Sequence, residues 1–243
     1  MKPNTFRHLA AAFSLVAATQ SFGALIHNYE LNGSLADSLG GPSFVAAGGT
    51  LNATDYSFAP NQGLTLSNAL PNTGDYSILV DFSFTDLSGY RRILDFKNGT
   101  SDTGLYDLNS ALNFYNITTG AAVFAPNVAV RLVITRDNAT DIFTGYINGS
   151  SQISFTDSTD LAVFDAGSSI MRFFIDDVAV PNEASAGRVG KISIYDSALT
   201  PAQVLALGSP TPPVVPEPGS AVFGLSTVAI CLGSRFRRNR GAR

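Results

Sequence analysis

The stretch YSILVDFSF, residues 76–84, alternates strictly. Ile78, Val80, Phe82 and Phe84 fall on one side of an extended chain, and Ser77, Leu79, Asp81 and Ser83 on the other. A period of two marks a half-buried antiparallel strand, because successive side chains leave a pleated backbone on opposite faces. Further β-rich segments lie at 92–97, 111–115, 128–135, 141–147, 152–155, 171–175 and 189–195, and residues 27–31 read as a first strand. Turn chemistry separates them. Asn148-Gly149 is a hairpin signal, since both residues tolerate positive φ, and Asn98-Gly99 and residues 136–139 read as further reversals. Six Asn-x-Ser/Thr triplets, at Asn32, Asn52, Asn98, Asn116, Asn138 and Asn148, mostly coincide with these turns. Many short strands spaced by about ten residues predict an all-β fold, an antiparallel β-sandwich or jelly roll.

Helical periodicity is nearly confined to one place in the body. Thr200-Pro201-Ala202-Gln203 sets Thr at the N-cap, Pro at the first helical position and Gln three residues after the cap. Val204, Leu205 and Leu207 follow, with Gly208 as the stop. This predicts a short two-turn C-terminal helix packed on a sheet.

The two ends differ from the body. Lys2 and Arg7 precede an apolar run, then Ser21-Phe22-Gly23-Ala24, the arrangement of a secretory signal peptide over residues 1–23. After residue 208, Ser209-Pro-Thr-Pro-Pro-Val-Val-Pro-Glu forms a stiff Pro-rich linker over 209–217. Residues 218–234 carry no charge and reach the lower length limit of a transmembrane helix. Arg235, Arg237, Arg238 and Arg240 then predict a cytoplasmic tail over 235–243, leaving the body outside by the positive-inside rule. The predicted organisation is a signal peptide, a β-sandwich domain over 25–208, the linker, a separate C-terminal apolar helix and the arginine-rich tail.

Between the ends, residues 24–215 hold eight basic and eighteen acidic side chains, a net charge of −10. Nothing in such a body would neutralise phosphates, which argues against nucleic acid as a partner. Cys231, the only cysteine, lies in the apolar tail, so the body has no disulfide framework and no thiolate site. His27 is the one histidine beyond the signal peptide, which excludes His-rich zinc chemistry. The three glutamates, Glu30, Glu183 and Glu217, are far apart. No catalytic residue is assigned, and a polysaccharide-processing enzyme would need an Asp pair.

The densest polar constellation surrounds Asp176, Asp177, Asn182 and Glu183. One reading is a calcium site built from hard oxygen ligands. The other is a turn whose acids cap backbone amides or pair with Arg172 or Arg188. Asp102 and Asp107, flanking Gly104, are weaker calcium candidates. Tyr90, Tyr106 and Tyr115 lie near loops rich in Asn and Ser, which suits a sugar-stacking surface in a chain without tryptophan.

Two resemblances add expectations. Residues 29–41 (YELNGSLADSLGG), 127–149 (with VAVRLVITR and FTGYING) and 188–207 (RVGKISIYDSALTPAQVLAL) look like the first strand, central hairpin and closing strand-helix of laminin-G-like, concanavalin A-like domains of bacterial surface proteins. That resemblance implies a fold shared by lectins, adhesion modules, enzymes and spacers. The order Val215-Pro216-Glu217-Pro218, apolar run and arginine cluster resembles the PEP-CTERM sorting signal. It implies an exosortase as processing partner, with Val215, Pro216, Glu217, Pro218, Arg235, Arg237 and Arg238 as sorting residues. It further implies transient inner-membrane anchoring, followed by release to the cell surface or extracellular space; a permanent anchor is the alternative. Together these readings predict an exported non-enzymatic protein with a carbohydrate-binding or structural adhesion role, extracellular polysaccharide being its partner. The alternative is a polysaccharide-processing enzyme on the same fold.

Overall fold

The structure is a computed structural model, and it describes residues 23–210 apart from 166, 168, 179 and 181. The segment expected to be a signal peptide, up to residue 22, lies outside the described residues, as do Val215, the Pro216-Glu217-Pro218 motif, the apolar run and Arg235, Arg237 and Arg238. No helix among the described residues is long and apolar enough to cross a membrane.

The described residues form two antiparallel sheets and one short helix. The first sheet is built from β1 (Leu25–Tyr29), β3 (Thr50–Leu51), β4 (Tyr56–Phe58), β6 (Tyr76–Phe84), β11 (Val130–Asp137), β12 (Ile142–Ile147), β13 (Ser150–Thr156) and β15 (Gly187–Tyr195). Its order is β13-β12-β11-β6-β15-β4-β3, with β1 added alongside β15. The second sheet runs β10 (Thr118–Ala122), β9 (Ala111–Phe114), β8 (Gly104–Leu108), β7 (Tyr90–Asp95), β14 (Met171–Phe173), β5 (Leu64–Leu66) and β2 (Val45–Ala46).

Phenylalanines interlock between the sheets. Phe114 of β9 meets Phe143 of β12 at 5.1 Å between centroids and Phe155 of β13 at 4.9 Å. At the other end Phe174 stacks on Phe58 of β4 at 4.5 Å and leans on Phe82 of β6 at 5.4 Å. One contiguous core results, and it takes up the predicted inward face of β6: Ile78, Val80, Phe82 and Phe84.

The opposite face of β6 explains why Leu79 stands among serines and an aspartate. The helix α1 (Pro201–Leu207) packs over it, and Leu79, Val133, Tyr146, Tyr195, Leu199 and Val204 form a second small core. The predicted capping box is present: Thr200 Oγ1 accepts from Gln203 N at 3.4 Å, and Gln203 Oε1 accepts from Thr200 N at 2.7 Å. The β12–β13 turn has Asn148 and Gly149 at φ 51° and 82°, the two positive values that a twisted two-residue hairpin requires. Asn98 and Asn116 also stand at positive φ, 51° and 63°, in keeping with their reading as turn residues.

Other boundaries move. The reversal expected at 136–139 begins two residues later, because Arg136 and Asp137 continue β11 in register with Phe143 and Ile142. Arg136 is fully buried, bound to Asp157 at 2.9 Å, Asp160 at 3.0 Å and the Gly74 carbonyl at 2.7 Å, so it pins the 157–160 loop instead of turning the chain. The first strand ends at Tyr29, and Leu31 takes φ 48°. His27 is a strand histidine held on both sides, Nδ1 at 2.7 Å from Asp37 Oδ2 and Nε2 at 2.9 Å from the Ala69 carbonyl.

Candidate functional site

The second sheet presents a polar and aromatic outer face. Alternation sends Leu105, Leu112, Phe114, Met171 and Phe173 into the core. Tyr106, Asn113, Tyr115 and Arg172 therefore emerge on the other side. Register aligns Arg92 of β7 with Tyr106 of β8, and Tyr106 with Asn113 of β9. Tyr90 precedes Arg92 by two residues and shares its face. The three tyrosines named from the sequence meet here edge to face, Tyr90–Tyr106 at 5.5 Å, Tyr90–Tyr115 at 5.6 Å and Tyr106–Tyr115 at 6.1 Å. Tyr106 is fully buried, whereas Tyr90 and Tyr115 are half-buried and reach solvent.

Beneath this trio lies Arg92, 0% exposed, its guanidinium 4.4 Å from the Tyr106 ring centroid. Four carboxylates surround it: Asp102 at 3.5 Å, Asp95 at 3.7 Å, Asp176 at 3.8 Å, and Asp177 in direct contact with Nη2. Two of the four arrive on one segment. The chain leaves β14 at Phe174, whose φ is 60° and whose N–H donates to the Ile93 carbonyl at 3.0 Å. It returns at Glu183, whose carbonyl accepts from Arg92 N at 2.7 Å. The intervening residues carry Asp176 and Asp177 onto the guanidinium.

This geometry bears on the four residues read as a calcium set. Asp176, Asp177 and Glu183 do come together, while Asn182, at φ 80°, is exposed. Asp176 spends its oxygens on amides, accepting from Asp177 N at 3.0 Å and Glu183 N at 2.8 Å. The amide-capping alternative thus describes Asp176, but the paired cation is Arg92. Arg188 binds Asp55 at 2.9 Å instead, and Arg172 donates to the Asp176 carbonyl at 3.4 Å. Among the described residues, no three His, Cys, Asp or Glu side chains are grouped so as to hold a metal ion. Because Asp176 and Asp177 already face a guanidinium, chelation of divalent cations is expected to leave the melting temperature unchanged. A stabilisation of several kcal/mol at saturating calcium, the size a tightly bound ion would give, would instead place an ion among these acids.

Asp102 and Asp107 fall on opposite faces of the second sheet. Asp102 stays outside, accepting from Tyr106 Oη at 2.9 Å. Its charge, with its hydrogen bond, raises the Tyr115 phenol above the usual range. Asp107 pairs in register with Arg91 on one side and the core residue Leu112 on the other, and it is 0% exposed. Neither of its carboxyl oxygens has a well-formed hydrogen bond. Burial pushes its pKa up to about 7, against the lowering effects of the nearby Ser110 amide and the Arg91 charge.

Sequence reasoning missed Arg92, Asp95 and Asn113 as members of this site. A signal existed for Asn113: it alternates with Leu112 and Phe114 and must point outward once they point in. Elsewhere, a cleft of about 470 Å³ opens between the 68–73 segment, Gly167 and Ser169, where Asn68, Asn72, Thr73 and Ser169 mix with Leu70 and Pro71.

No family model matches the chain, and none of the curated proteins does. Solved structures do. Domain 4 of AbnA, a GH43 extracellular arabinanase from Geobacillus stearothermophilus in complex with arabinotriose, is similar at 20% identity and a TM-score of 0.59, over 77% of this chain and 100% of that one. Trypanosoma rangeli sialidase is similar at 14% identity and a TM-score of 0.60, over 75% of this chain. The botulinum neurotoxin serotype D binding domain is similar at 15% identity and a TM-score of 0.51, also over 75% of this chain. The match spans 32% of the sialidase chain and 51% of the toxin domain. At these identities the likeness is one of fold.

Proposed function

We propose that this chain is an exported, non-catalytic carbohydrate-binding protein with a laminin-G-like sandwich, whose tyrosine face on the second sheet takes up polysaccharide. The observation that carries this reading is the convergence of Tyr90, Tyr106 and Tyr115 with Asp102 and Asn113 on one outer sheet face. Sugar rings present flat apolar faces edged by hydroxyls, and half-buried rings beside carboxylate and amide oxygens complement both parts. The similarity to an arabinanase domain in complex with arabinotriose supports the ligand class. The non-catalytic reading is supported by the use already made of the clustered acids. Asp95, Asp102, Asp176 and Asp177 face Arg92, and Asp107 lies out of reach of any substrate in the interior.

The export part of the proposal rests on the termini. The amino-terminal segment would direct secretion, and the Pro-Glu-Pro motif, apolar run and arginines would present the chain to an exosortase, from which it passes to the cell surface or extracellular matrix. Intact mass of protein recovered from culture tests this: a carboxyl terminus near residue 216 is expected, and full-length protein would mean a permanent anchor.

Binding is tested on a broad panel of polysaccharides with wild type, Tyr90→Ala and Tyr115→Ala. Each variant is expected to weaken binding about tenfold or more while the domain still melts cooperatively, the loss of an aromatic anchor worth roughly 1–2 kcal/mol. Undiminished binding by both variants would move the site elsewhere, and release of reducing ends from any glycan would establish an enzyme.

A further inference from the structure

The expected cut in the leader falls beside a carboxylate. Ser21-Phe22-Gly23 puts small side chains one and three residues before the Gly23–Ala24 bond, whereas a cut one residue later would have Phe22 in the third place. Ala24 itself belongs to the fold. Its N–H donates to Asp196 Oδ1 at 2.8 Å, and its carbonyl accepts from Asp196 N at 3.1 Å. The two residues extend the antiparallel β1–β15 ladder one step beyond the Leu25–Tyr195 pair. Just upstream there is no room for a larger residue, since a β-carbon on Gly23 would come within 2.6 Å of Ser197 Oγ.

Asp196 stands in an excess of negative charge. Ser197 Oγ donates to its Oδ1 at 3.3 Å, and among the described residues no lysine or arginine pairs with it. Its neighbour Asp75 feels that excess: burial first, then the charges of Asp137 and Asp196, raise the Asp75 carboxyl against the opposing Ala198 amide and Arg136 charge. Arg136 is already bound by Asp157 at 2.9 Å and Asp160 at 3.0 Å. A further cation is therefore favoured at this corner.

We propose that removal of the leader at the Gly23–Ala24 bond builds a latch: the freed α-ammonium of Ala24 binds the Asp196 carboxylate and locks the start of β1 onto the end of β15. The proposal rests on the export reading given above. Water supplies a hydroxyl to the Gly23 carbonyl carbon and a hydrogen to Ala24 N, and the new amine takes up a proton from solvent. A neutral hydrogen bond thereby becomes a charge-assisted one at the same atom. Termini fray unless something ties them down, and here the tie exists only after processing. An α-amine ordinarily titrates near about 8, and a carboxylate partner raises that value in the folded protein. The latch thus contributes fully below the ordinary value and is lost as pH climbs through the raised one.

The test uses the exported protein recovered from culture, whose amino-terminal residue is expected to be Ala24. Wild type should melt about 1–3 °C above Asp196→Asn at about pH 6.5, the size of one exposed ion pair in a domain of this length, and the two should converge at about pH 10. Asparagine keeps an oxygen acceptor, so a merely neutral hydrogen bond would give the same difference at both pH values and overturn the latch. A second measurement needs no variant. The isotopically dimethylated α-amine of exported wild type, followed by NMR, should titrate above the same group in urea; equal values would overturn the latch as well. A terminus at any residue other than Ala24 would remove the latch and leave export standing, whereas a chain found only inside the cell with residue 1 in place would remove both.

Discussion

Arg92→Met is expected to destabilise the domain by about 3–5 kcal/mol, the range for removing one partner of a buried ionic network. Arg92 is 0% exposed and is the cation facing Asp95, Asp102, Asp176 and Asp177. Methionine keeps an unbranched apolar stem but ends short of the guanidinium position, and it leaves those acids in a low-dielectric site without their counter-charge. Stabilities of single domains are only about 5–15 kcal/mol, so the loss would take about a fifth or more of the total. The urea midpoint is the measurement. Arg92→Lys should fall between, since an ammonium keeps the charge but loses the planar fork that reaches several carboxylates at once. The deficit of Arg92→Met should shrink in acid, where the surrounding acids can take up protons. A variant within 1 kcal/mol of wild type at neutral pH would mean that the guanidinium is not the keystone of this side of the sheet.

Asp107→Asn should have the opposite sign. Its carboxyl is 0% exposed, has no well-formed hydrogen bond and titrates at about 7 in the folded protein. An aspartate in the unfolded chain titrates near 3.9. Below that value both states hold the proton and the side chain costs nothing through ionisation. As pH rises from about 4 to 7 the unfolded state ionises freely while the folded state retains its proton, so stability falls across this window. Above it the accumulated penalty is constant, about 4 kcal/mol from a shift of roughly three units. Asparagine keeps the shape and cannot ionise. The variant should match wild type near pH 4 and exceed it by about 2–4 kcal/mol above pH 7, less whatever the buried amide itself costs. Thermal melts of both proteins between pH 4 and 8 decide it; parallel curves would show that Asp107 carries its charge without penalty.

Several elements were legible from short windows of sequence. The alternation in β6 named both of its faces, Asn148-Gly149 named a hairpin, and the Thr200–Gln203 box named the start of α1. The three tyrosines could be named as candidates, but not as neighbours. The strands β2, β3, β4, β5, β8 and β10 were not assigned, because two to five residues give too little periodicity to read. The acids at 176 and 177 were noticed for their density, yet their partner stands more than eighty positions earlier. No local pattern joins them to Arg92.

The amino-acid sequence alone determined that the body would be all-β, where most of the longer strands and the closing helix would lie, and that zinc, disulfide and phosphate-binding chemistry were closed to it. Side-chain alternation, turn conformation and helix capping depend on neighbours within a few residues, so they are written locally. Only the tertiary structure decided which sheet face gathers the tyrosines, that an arginine stands among the acids, and that one aspartate is trapped inside. Those outcomes depend on strand order and register, which bring together side chains from β7, β8, β9 and the segment after β14, and the energy of such contacts exists only once the chain has closed those distances.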